Sequence, residues 1–183
     1  MRLIGEHYLV GQQCIEQSYK EGFKWLKLAA ENNDAKSMEL VGLCYLSGIG
    51  VAENISETVH WLEKASERGE ESAMYRLGML YLNGEVLAQD FSKGFYWHKK
   101  AAKEGIANSM LMVGKAFETG LGVGKDYTEA MKWYRLAAED GHGTAMKRIS
   151  DLYEQGLGVT KDLKLAQEWK DKAAAADKAD ANK

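Results

Sequence analysis

Four histidines, two cysteines and a series of glycine-rich turns are the residues of this 183-residue chain whose chemistry could be put to use. A metal centre wants ligands converging at helical or loop spacing, such as two histidines four apart. His7, His60, His98 and His142 show no such spacing and are read as solvent-facing or half-packed side chains. Cys14 and Cys44 stand thirty residues apart. They read as two thiols, Cys44 packed between helices and Cys14 near a loop; a disulfide would need the two segments to touch. Turns such as Gly48-Ile49-Gly50-Val51 have the glycines of a phosphate loop without the Lys and Ser/Thr that follow in one. No Ser, Cys and His are spaced as a nucleophile and its base. The expectation is therefore no enzyme, no metal and no cofactor.

The elements that would have to position any site come from a repeat. The five tryptophans, Trp25, Trp61, Trp97, Trp133 and Trp169, stand thirty-six residues apart. A fixed period in so rare a residue means one supersecondary unit written five times. Ala29, Ala65, Ala101, Ala137 and Ala173 keep the register, as do Met38, Met74, Met110 and Met146, and Gly48, Gly84, Gly120 and Gly156. Gly42, Gly78 and Gly114 share a phase with Ser150, and Tyr45, Tyr81, Phe117 and Tyr153 share another. The first copy slips: Gly5, Tyr8 and Gly11 match Gly42, Tyr45 and Gly48 at thirty-seven, which places one extra residue before Trp25.

Each copy reads as two helices joined by a glycine turn. In the third, Ala73, Met74, Leu77, Leu80 and Tyr81 recur at three and four residues along one face, and Phe91, Phe95, Trp97, Ala101 and Ala102 form a second stripe. Ser18, Asn54, Asp90, Asp126 and Asp162 can cap the free N–H groups of the second helices. Glu21, Glu57 and Glu129, three residues on, suit a reciprocal capping box. Gly69, Gly105 and Gly141 suit the left-handed position past a helix, whereas Asp177 in the last copy suggests a helix that runs on into the tail.

The pattern Ala-x-x-x-Leu-Gly-x-x-Tyr-x-x-Gly-x-Gly-Val, then Asp, then Ala-x-x-Trp-x-x-x-Ala-Ala-x-x-Gly, resembles the Sel-1-like repeat, a relative of the tetratricopeptide repeat. Ala107 to His142 and Ala35 to Glu70 are the best copies; Glu85 and Val86 depart from the turn pattern, and Ser150 from a glycine. The resemblance implies an all-α, right-handed superhelical solenoid whose first helices line a concave groove. Its domain would be one solenoid over 1–178, in copies 1–34, 35–70, 71–106, 107–142 and 143–178, with 179–183 as a tail. It also implies an adaptor or scaffold for other proteins, many relatives being bacterial. An immunity-type inhibitor of a bacterial effector is a narrower form of that reading. An exported receptor for a cell-wall-type ligand, or an enzyme with a pocket between copies, is the rival.

Composition narrows the partners. The net charge is −3, with basic and acidic residues interleaved, which is no footprint for nucleic acid. No apolar run approaches the roughly eighteen residues that span a bilayer, so no membrane insertion is expected. No charged segment followed by an apolar stretch opens the chain, so no secretory signal is read. A cytoplasmic location is favoured, with a periplasmic or secreted one open if an upstream signal was removed.

Core positions must repeat, so apolar residues at positions that vary need another reason. In the geometry the resemblance implies, the groove-facing positions are 36, 39, 43, 46 and 47, and then every thirty-six. They place Leu43, Leu46, Tyr75, Met79, Leu82 and Leu111 in the middle copies, and Lys115, Glu118, Lys147, Asp151 and Glu154 later. An apolar patch flanked by charge suits a groove that binds a protein segment, with Lys115 and Lys147 at its charged end. The same residues would also suit the seam between packed first helices, in which case they would be covered.

Overall fold

The structure, a computed structural model, describes residues 1–10 and 18–181. Cys14 and Gly11 lie outside the described residues. Among those described there are ten helices and no strand. The chain divides into two compact units, Met1–Ala88 and Gln89–Lys183. The first holds α1 (Arg2–Val10), α2 (Tyr19–Glu31), α3 (Ala35–Ser47), α4 (Ile55–Glu67) and α5 (Glu71–Asn83). The second holds α6 (Phe91–Lys103), α7 (Ala107–Thr119), α8 (Tyr127–Glu139), α9 (Gly143–Gln155) and α10 (Leu163–Ala181). The division falls within the third copy, just past Glu85 and Val86.

Every second helix starts one residue after its expected cap. Ser18, Asn54, Asp90, Asp126 and Asp162 each accept from a first-turn N–H with a side-chain oxygen. The reciprocal half of the capping box is absent where it was expected. Glu21 and Glu129 instead accept from Lys24 and Lys132, and Glu57 accepts from the Trp61 indole N–H. The reason is that the cap N–H is already satisfied. Ser18, Asn54, Asp126 and Asp162 donate theirs to the carbonyls of Tyr8, Tyr45, Phe117 and Tyr153. The repeating aromatic position thus also carries a backbone tie from first helix to second.

Helices end in the left-handed region that glycine adopts without steric cost. Gly69, Gly105 and Gly141 have φ of +83°, +98° and +81°, and Asn33 takes the same place in the first copy at +69°. Where Asp177 replaces this glycine, α10 continues to Ala181.

In the first unit, Leu26, Leu62, Leu77 and Val41 are fully covered, with Met38, Met74, Phe23 and Trp61 around them. Each such side chain removed from water contributes about 1.5–3 kcal/mol before entropy is subtracted. In the second, Val113, Tyr134, Ile149, Leu152 and Ala137 form the centre. Small residues let the paired helices approach: a Cβ on Gly42 would stand 3.1 Å from Leu62 Cγ, and one on Gly114 2.4 Å from the Tyr134 ring. Ser150 turns its departure from glycine into a bond, its hydroxyl donating to the Ala166 carbonyl at 2.7 Å. Trp61 and Trp97 are buried, while Trp25, Trp133 and Trp169 are half-buried.

Candidate partner-binding site

α3 and α5 each present one apolar stripe that the core does not use. Leu43 and Leu46 are one turn apart on α3, and Tyr75 and Met79 one turn apart on α5, so each pair shares a helical face. All four are half-buried. Together they line an open concavity of about 400 Å³ in the first unit, with Leu62 and Leu80 beneath and Arg76, Asn83, Glu85 and Val86 beside them. Half-exposed apolar side chains in such a hollow are poorly served by water and available to another surface.

The other residues singled out from the sequence stand elsewhere. Leu82 is half-buried on α5 and is not among those lining the concavity. Leu111 contradicts its expected partial exposure: it is 7% exposed and belongs to the buried cluster around Tyr134 and Ile149. The second unit covers the apolar residue at this position. Lys115 is half-buried on α7, and Lys147 is exposed on α9 with Nζ 2.7 Å from Asp177. Both belong to the second unit, as does Leu111.

Next to the concavity lies an ion cluster that the apolar pattern did not reveal. Glu39 is fully buried, and its carboxylate takes Arg76 Nε at 2.7 Å and Lys36 Nζ at 2.5 Å. Lys36 also stands 3.5 Å from Glu70. Burial works against the Glu39 charge, but hydrogen bonds from Lys36, Arg76 and Ser72 outweigh it and hold the carboxyl below its ordinary range. A buried carboxylate stripped of these partners would be strongly destabilising, so the cluster fixes where Arg76 sits. Arg76, Asn83, Glu85 and Val86 were missed as site residues. The signal was there for two of them, since Glu85 and Val86 already break the turn pattern.

His98 corrects the surface reading given to the histidines, being 1% exposed with Nδ1 3.2 Å from Ser109 Oγ. It holds the same phase as the core residues Leu26, Leu62 and Tyr134. Cys44 is buried, which pushes its thiol up to about 11 and makes it a poor nucleophile. Among the described residues no group of His, Cys, Asp and Glu is placed to hold a metal ion, and no helix is long and apolar enough to cross a membrane. A polar hollow of about 500 Å³ in the second unit includes Asn108, His142 and Asp177. Asn108, His142 and Asp177 are each engaged with protein: His142 Nε2 lies 2.9 Å from Asn108 Oδ1, and Asp177 holds Lys147.

The model of the Sel1 repeat matches residues 1–34, 35–70, 71–106, 107–142 and 143–178. A Sel1 repeat protein from Oxalobacter formigenes is 31% identical, with a TM-score of 0.78; the match covers 95% of this chain and 71% of that one. A protective antigen of uropathogenic Escherichia coli with the same type of repeat fold is 28% identical, with a TM-score of 0.86. There the match covers 95% of this chain and 37% of the other. A cysteine-rich protein of Helicobacter pylori is 27% identical over 67% of this chain and 93% of its own, with a TM-score of 0.51. No curated protein matches the sequence.

Proposed function

Because the chain belongs to the Sel1 repeat family, whose repeats generally mediate protein–protein interaction and are generally not catalytic, we propose that it is a non-enzymatic binding module. In this reading it holds a segment of a protein partner in the concavity of the first unit. The observation that carries the reading is the gathering of Leu43, Leu46, Tyr75 and Met79 in one half-open hollow. These positions vary between copies, so the repeat itself does not demand an apolar residue at any of them.

Tyr75 and Met79 suit the task. Tyrosine concentrates binding energy at interfaces, and methionine adapts its shape to an incoming surface. Affinity capture from the native organism identifies the partner, and binding of that partner by wild type and Tyr75→Ala then tests the site. The substitution is expected to weaken binding by about 1 kcal/mol or more, with little change in melting temperature. A large fall in melting temperature, with binding by the folded fraction intact, would assign these side chains to packing instead.

A further inference from the structure

Two features of the third copy meet at the concavity, a loop residue that departs from the glycine of other copies and an arginine that holds a buried carboxylate while part of it stays exposed. The first is in the loop. In three copies a turn glycine rests directly on the start of a neighbouring second helix. A Cβ on Gly50 would lie 2.0 Å from the Tyr19 carbonyl oxygen, one on Gly122 2.1 Å from that of Phe91, and one on Gly158 2.5 Å from the Tyr127 carbonyl carbon. All three glycines have positive φ. Val86 holds this phase in the third copy, and a valine can take neither that seat nor that backbone. It is instead 48% exposed and, with Glu85, lines the concavity.

The second feature is Arg76, at a position that varies between copies, with Leu40, Met112 and Arg148 elsewhere. Its Nε donates to the buried Glu39, while 45% of its side chain remains exposed. A guanidinium is a planar fork, so one held at Nε still presents its terminal amino groups to a second carboxylate in a fixed direction. Among the residues that line the concavity, Arg76 supplies the positive charge and Glu85 the negative.

We propose that the concavity takes an amphipathic segment of a protein partner that carries a carboxylate beside its apolar anchor. The anchor, an aliphatic or aromatic side chain, seats against Leu46, Tyr75, Met79 and Val86. An Asp or Glu within one helical turn of it pairs with Arg76. This deepens the reading of the concavity as a partner site and rests on it. The volume of about 400 Å³ lies within the range of sites that enclose side chains or small ligands. Glu85 repels an acid placed on its own side, so the two rim charges also set the direction in which the segment lies. Residues 1–88 carry eight Lys/Arg against thirteen Asp/Glu. A run of acids is therefore disfavoured, and the recognised pattern is one carboxylate next to one anchor.

The test uses a displayed library of random twelve-residue peptides, selected on the full chain. Enriched peptides are expected to carry a large apolar residue within four positions of an Asp or Glu. They are expected to shift the methyl NMR signals of Leu43, Leu46 and Met79. Arg76→Met is expected to weaken them about tenfold, the scale of a lost charge-assisted bond, and Val86→Gly to weaken them several-fold. Should Arg76→Met fail to fold by circular dichroism, replacing the peptide's acid by its amide on the wild-type chain reads the same contact, with the same loss. Peptides that shift those methyls but contain a base or no charge, or that ignore both Arg76→Met and the amide, overturn this inference and leave the binding module standing. No enrichment, or enrichment with no shift at Leu43, Leu46 and Met79, overturns both.

Discussion

His98 shows how much one side chain at a core phase can change the response of the whole chain to pH. Its ring is buried, and burial lowers its pKa to about 4 from an ordinary value near 6.5. The unfolded chain therefore binds a proton that the folded chain refuses. The stability tied to a neutral His98 is fully present above about pH 6.5 and is lost as pH falls toward about 4, to a total of roughly 3 kcal/mol. His98→Leu installs the residue found at Leu26 and Leu62, and is expected to flatten this dependence. Thermal melts of both proteins at pH 7.5 and 5.0 check it; equal pH sensitivity would show that another group is responsible. The position was legible, since 98 shares its phase with Leu62 and Tyr134. The residue type argued the other way, because histidine is read as a surface or ligand side chain unless the phase is given more weight. Glu39 was less legible. Its cover comes from Lys36 one turn away and from Arg76 on a different helix, and no local pattern announces a pairing across thirty-seven residues.

At the level of helices and turns, the sequence was nearly sufficient wherever the cause was local. Second-helix starts followed from a cap oxygen and helix ends from positive-φ glycine, and each of these acts within a few residues of itself. The capping box fell short because its last donor was taken by a carbonyl nine residues away, as in Asn54 to Tyr45. This makes a distinction that can be measured. Asp126→Ala removes the acceptor for the N–H groups of Thr128 and Glu129 and is expected to cost about 1 kcal/mol. Glu129→Ala removes an exposed contact to Lys132 and is expected to cost distinctly less. Urea melts of the two variants would show similar losses if a reciprocal box were operating. The candidate concavity was half legible for a related reason. Leu43, Leu46, Tyr75 and Met79 stand out as apolar residues where the copies vary, but so does Leu111, and only packing separates a half-open stripe from a covered one.

For the molecule as a whole, stability in a chain of stacked copies approximates a sum over copies and their nearest neighbours. The tryptophans differ in cover, Trp61 and Trp97 being buried and Trp25, Trp133 and Trp169 half-buried. Trp97 is 8% exposed, whereas Trp169 in the last copy is half-buried. Trp97→Ala is expected to cost roughly 3–5 kcal/mol, as for an emptied aromatic core site, and Trp169→Ala distinctly less. Denaturant melts giving equal losses at both would mean that the last copy is as firmly held as the third.

The backbone tie that runs from Tyr8, Tyr45, Phe117 and Tyr153 of first helices to the caps of the second has a bearing on evolvability. It joins residues nine apart in three copies, Tyr45 to Asn54, Phe117 to Asp126 and Tyr153 to Asp162, yet Tyr8 and Ser18 make the same bond across ten. The knot is tied at the neck of the loop, so the number of residues hanging beyond it does not set the phase of the next helix. Loop length is thereby uncoupled from helix register. Such necks are ports where natural insertions can accumulate, or an engineer can graft an epitope or a reporter, while the helices on either side keep their places.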